Sequence, residues 1–149
     1  LRLLTNVWLH LWGTLTHKFW VCWEIQKVVL ELEWRALLHD WTKLDPDERK
    51  GFFEVIHLLR GSTYGDPGYL KNLAHIAPSI NSHYSKNSHH PEFYECGIDA
   101  MDVYDLIEMA CDWKAAVRRH ANGDIRRSFE INQKRFGISP QQMRLLRRI

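Results

Sequence analysis

Apolar residues recur every three or four positions through most of this chain, and nowhere does strict alternation last long enough to mark a strand. Trp8, Leu11, Leu15, Phe19, Cys22 and Ile25 fall on one face of a helix expected over about residues 5–30. A second, short helix is expected over roughly 33–42. Asp45-Pro46-Asp47-Glu48 is a strong helix start: Asp45 caps, Pro46 takes the first helical position, and Glu48 is spaced to reach back to the cap. That helix should run to about Arg60 and stop at Gly61. Residues 61–68 read as a loop and, being the least regular stretch, as a candidate lid. A helix over about 69–86 is expected to break near Pro78. A polar turn follows at 87–92. The clearest helical pattern runs from Asp99 to about Ala121 and ends at Asn122-Gly123. A helix over 124–136 comes next, and Ser139-Pro140-Gln141-Gln142 repeats the cap-proline pattern to open a last short one. The pattern predicts an all-α fold, a single-domain bundle of about six or seven helices over residues 1–149.

Composition narrows this picture. A length of 149 residues suits one domain with a real core. With 45% hydrophobic residues and seven Trp, the chain should fold rather than stay disordered. The Trp residues are expected in the core or at its rim. Cys22, Cys96 and Cys111 are odd in number and follow no motif spacing, so they read as reduced, buried thiols of a cytosolic protein. The most apolar stretch, 7–23, is interrupted by His10, Thr14, Thr16, His17 and Lys18, so no membrane span is expected. No signal-peptide pattern is visible, although the chain begins with Leu1 rather than Met.

Net charge is only +2, but its sign is unevenly spread. Residues 1–114 hold 11 Lys and Arg against 16 Asp and Glu, net −5; residues 115–149 hold 9 against 2, net +7. The basic helices from about 124 onward could attract phosphate-rich molecules or simply form a solvated surface. A small anionic substrate is favoured over nucleic acid, and a homo-oligomer is left open.

The chemistry concentrates around Leu37-Leu38-His39-Asp40-Trp41-Thr42-Lys43. His39 and Asp40 can offer a nitrogen and an oxygen to one metal ion, and Lys43 lies one helical turn past His39, in reach of an anionic group. Other candidate ligands flank the pair. His17 lies on the first helix. His83 shares a helix face with Asn87, and the adjacent His89 and His90 lie in the polar turn, where one of the two would bind a metal. Glu108 and Asp112 are four residues apart on an apolar helix, where burying two carboxylates is costly unless a cation joins them. Asp112 is the stronger ligand; Glu108 reads as a residue orienting a histidine or as a general base. Each element has a plain alternative, a surface His-Asp pair or a salt-bridged carboxylate pair. His10, His57, His75 and His120 carry no supporting spacing and read as structural or exposed. Imidazole and carboxylate together favour divalent transition ions, Mn, Fe, Co, Ni or Zn, with Mg admitted as a harder ion.

The order His17, His39-Asp40, His83, His89/His90 and Asp112 resembles the HD superfamily of helical metal-dependent phosphohydrolases. His39-Asp40-Trp41-Thr42-Lys43, followed by His83 and His89-His90, is similar to the His-Asp-x-x-Lys pattern of the cyclic-dinucleotide phosphodiesterase branch, but the chain reads Pro91-Glu92-Phe93-Tyr94 where that branch has Gly-Tyr-Pro. A closer resemblance, over about 14–120, is to a small phage and bacterial family defined only as a domain of unknown function. Its pattern is similar to Thr16-His17-Lys18, Leu38 to Lys43, Asn87 to Glu92 and Glu108 to Trp113.

The resemblance implies an HD-like bundle in the cytoplasm of a bacterial or phage-infected cell, with one or two metal ions. His17, His39 and Asp112 would hold one ion, His83 with His89 or His90 the other, and Asp40 would bridge. Lys43 would steady the phosphoryl group of a nucleotide, a cyclic nucleotide or another small phosphate ester. A di-iron oxygenase and a non-catalytic nucleotide-binding protein are the alternatives.

Overall fold

The structure is a computed structural model and describes residues 2–60, 62–63, 65–119 and 122–149. It is all-α, as the sequence pattern predicts. Seven α-helices and three short 3-10 turns make up the described residues, which contain no strand. The chain divides into two compact units, residues 1–39 and 40–149.

The first unit is a single helix, α1, Arg2–Leu38. The separate helices expected over 5–30 and 33–42 are therefore corrected to one. Glu31-Leu32-Glu33 between them are good helix formers, and neither Gly nor Pro interrupts the run. At 1.5 Å per residue α1 is about 55 Å long. It buries none of its residues. The chain turns instead at Asp40, whose φ of 58° is the one positive value at a non-glycine among the described residues. Aspartate tolerates this left-handed conformation better than most side chains, and it ends a helix as the left-handed cap usually does. A 3-10 turn, Trp41–Leu44, follows.

In the second unit, α2 spans Pro46–Arg60, α3 Pro67–His75 and α4 Ala77–Lys86. Gly61 and Tyr64, in the loop expected to act as a lid, lie outside the described residues; Asp66 caps α3 earlier than that loop was expected to end. α2 and α4 pack closely at Gly51, where a Cβ would lie 2.4 Å from Ser79 Oγ. Ser79 Oγ also donates to the Asp47 carbonyl at 2.9 Å. Two further 3-10 turns, Pro91–Phe93 and Gly97–Ala100, lead to α5, Val103–Val117. α5 begins later than the pattern suggests because Asp102 and Asp105 form a reciprocal capping box that fixes its start. His120 and Ala121, beyond its end, lie outside the described residues.

α6, Ile125–Phe136, is capped by Asp124 and ends at Gly137, whose φ of 62° suits glycine. α7, Pro140–Leu146, starts with the Ser139–Gln142 capping box. The core of this unit lies among α5, α6 and α7: Met109, Ala110, Trp113, Phe129, Met143 and Leu146, joined by Ile98, Met101 and Ile138. Trp113 meets Phe129 edge-on, with ring centroids 6.1 Å apart.

Two burial expectations are corrected. Cys22, Cys96 and Cys111 are free thiols as expected, but all three are exposed. Of the seven Trp only Trp113 is buried; Trp8, Trp12, Trp20, Trp23, Trp34 and Trp41 are exposed. Five of those six sit on α1, which buries nothing. Apolar composition predicts burial only where an element has something to pack against. No helix is long and apolar enough to cross a membrane among the described residues.

Candidate metal centre

Four ligand-type side chains of the second unit converge: Asp40, His83, His89 and His90 each bring one donor atom within 4.8 Å of all the others. They arrive from three places. Asp40 sits at the left-handed corner, His83 on α4, and His89-His90 in the turn between α4 and the Pro91–Phe93 segment. His83 Nε2 lies 3.1 Å from Asp40 Oδ1 and 3.0 Å from His90 Nε2, and His89 Nε2 lies 3.6 Å from Asp40 Oδ1. Two donors each about 2.1 Å from one ion are about 3.0–3.4 Å apart, so these separations suit a shared cation with little rearrangement.

What surrounds the imidazoles aims them. His83 is buried, and its Nδ1 lies 2.9 Å from Glu48 Oε2. With Nδ1 donating to that carboxylate, Nε2 keeps a lone pair for the centre. Glu48 is itself fully buried. Thr42 Oγ1 donates to the same carboxylate oxygen at 3.1 Å, and Asn87 donates to Thr42 Oγ1 at 2.8 Å and to the His83 carbonyl at 2.7 Å. Glu48 thus turns inward rather than back to its helix cap, a role that its place in a helix-start motif conceals.

His89 repeats the arrangement. Its Nδ1 lies 3.1 Å from Glu108 Oε1, within reach for that carboxylate to orient the ring. The turn holding His89 and His90 is tied to the start of α5 by buried Asp105, which accepts from Ser88 Oγ at 2.7 Å and from Tyr94 OH at 2.5 Å. Burial, reinforced by that bond to Asp105, pushes the Tyr94 hydroxyl up to about 12, so it stays a donor. Neither Asp105 nor Tyr94 carries a sequence signal beyond the helix cap.

Burial pushes His90 down to about 3, with the neighbouring His89 and His83 rings acting the same way against the pull of Asp112 and Asp40. His90 therefore stays neutral across the physiological range and keeps a lone pair. Asp112 brings a carboxylate oxygen within 4.8 Å of one on Asp40. Lys43 donates to Asp40 Oδ2, and its ammonium lies 5.3 Å from the centre of the Phe52 ring, with about a third of the side chain still exposed.

The matching family model covers residues 6–149. The chain belongs to DUF5662, a family of unknown function. No curated protein and no solved structure matches this DUF5662 chain.

Two expected ligands of the DUF5662 chain lie in the other unit. His39 is the residue before Asp40 and the last of that unit. His17 is exposed midway along α1. Unbroken helix from His17 to Leu38, with His39 next in the chain, sets the two histidines roughly 30 Å apart. The expectation that both hold one ion within a single chain is therefore corrected, because the break between the first two helices that would have brought them together does not exist. His10, His57 and His75 are exposed, as their lack of supporting spacing suggested.

Proposed function

We propose that this DUF5662 chain is a metal-dependent phosphohydrolase acting on a nucleotide or another small phosphate ester. The observation that carries the reading is the convergence of Asp40, His83, His89 and His90, with two of the imidazoles backed by carboxylates. When bound, a divalent transition ion supplies positive charge to a phosphoryl oxygen and makes water acidic enough to be a nucleophile. The remaining work falls to the chain itself. Glu48 and Glu108 hold the Nδ1 protons and keep both imidazoles in one orientation, as paired carboxylates do for metal-bound histidines. Asp112 joins Asp40 in a carboxylate pair suited to a second ion. Lys43 neutralises Asp40 while no substrate is present; its partly exposed side chain can then turn to a phosphoryl oxygen and stabilise the charge that grows there.

The test is a screen of nucleotides and small phosphate esters against protein loaded separately with Mn, Fe, Co, Ni or Zn. Phosphate release is expected with at least one ion, and His83→Ala or Asp40→Asn should lower it by a hundredfold or more. Iron-dependent oxygen uptake without phosphate release would replace this reading with an oxygenase. Tight nucleotide binding with full recovery of the ligand would replace it with a binding protein.

A further inference from the structure

From Leu4 to Leu32, α1 carries apolar residues at alternating steps of four and three: Leu4, Trp8, Leu11, Leu15, Cys22, Ile25, Val29 and Leu32, with Lys18 at the one remaining position. This is a seven-residue repeat, the period at which one helix follows another. Val7, Val21 and Val28 flank the seam on one side, and Trp12 and Phe19 on the other. Apart from the half-buried Leu32, all of these side chains are exposed. The other side of the helix carries His10, His17, Glu24 and Glu31, again seven residues apart, and a solvated ion pair between Lys27 and Glu24 at 2.6 Å, interspersed with exposed Trp20, Trp23, Leu30 and Trp34.

We propose that α1 is a dimerisation helix and that its seam is covered by α1 of a second copy of this chain. Area supports the occupant. The seam and its flanks offer on the order of 800 Å² of apolar surface at typical side-chain areas. That exceeds the ~300–600 Å² patch of an ordinary monomer and matches the ~800 Å² that each partner contributes to a stable interface. Charge argues against a lipid surface, because helices that lie on membranes are strongly basic on their polar face. Here Glu24, Glu31 and Glu33 nearly balance Arg2, Lys18, Lys27 and Arg35. Lys18 stands at the midpoint of the seam, so pairing in either direction brings two ammonium groups near one another at its centre and weakens the dimer there.

Sedimentation equilibrium of the full chain at micromolar concentration tests the proposal. A mass of twice 17.7 kDa is expected. The pair Leu15→Glu and Ile25→Glu should weaken association at least a hundredfold with helicity retained, while Trp20→Glu, outside the seam, should leave it unchanged. Lys18→Leu should tighten the dimer tenfold or more, a readout that decides the matter even if the double variant unfolds. A monomeric wild type overturns the proposal, whether its α1 amides are protected from exchange by the rest of its own chain or the monomer floats with phosphatidylcholine vesicles. An oligomer indifferent to the seam substitutions overturns it equally.

Discussion

A carboxylate with no exposure must have its charge met by neighbours, and Glu48 is met by His83, by Thr42 and by Lys86 Nζ at 3.6 Å. Glu48→Gln keeps the volume but weakens the hold on the Nδ1 proton, so metal affinity should fall about 10–100-fold, read by competition with a chelating dye. Glu48→Ala also strands a buried N–H and should cost about 1–3 kcal/mol in urea unfolding of the metal-free protein. His90 supplies a pH prediction. Folded, it takes a proton only near pH 3; unfolded, near its ordinary 6.5. The unfolded chain therefore binds more protons between those values, and metal-free stability should fall as pH is lowered through that window. The urea midpoint followed against pH should lose part of this slope in His90→Gln. At this scale the convergence of Asp40, His83, His89 and His90 was legible, because imidazoles and carboxylates clustered in sequence are ready metal donors. Glu48 and Asp105 were not: a helix-start motif accounts for Glu48 until the tertiary contacts are known, and Asp105 falls inside a helix expected to begin at Asp99.

Between elements, the close approach of α2 and α4 places the centre. Gly51 and Ser79 touch one turn along from Glu48 and His83 on the same two helices. Gly51→Ala must push the helices apart, and should cost about 1–3 kcal/mol of stability and loosen metal binding with it. Asp102→Ala removes the cap of α5 and should cost about 1 kcal/mol, measured by thermal or urea unfolding. Helix starts were the most readable feature of the sequence: Asp45-Pro46, Asp124 and Ser139-Pro140 each open an element where expected. The unbroken α1 was not readable, because a helix without Gly or Pro ends only where its surroundings end it. Here that place is the left-handed Asp40.

For the molecule as a whole, sequence pattern was sufficient to establish the all-α class but not which apolar surface is buried. The Trp-rich α1 looked like core because hydropathy reports a tendency to leave water, not the partner that allows it. The basic α6 and α7 lie in the same unit as the cluster of Asp40, His83, His89 and His90. Binding of an anionic nucleotide should therefore weaken as salt rises. The central claim is that Asp40, His83, His89 and His90 form one metal centre. Anomalous scattering from crystals grown with Mn or Zn tests it most directly. A peak about 2.1 Å from Asp40 Oδ1 and from the Nε2 atoms of His83 and at least one of His89 and His90 is the predicted result. A fully loaded crystal with no peak among these four residues, or with its ion held elsewhere, would contradict it.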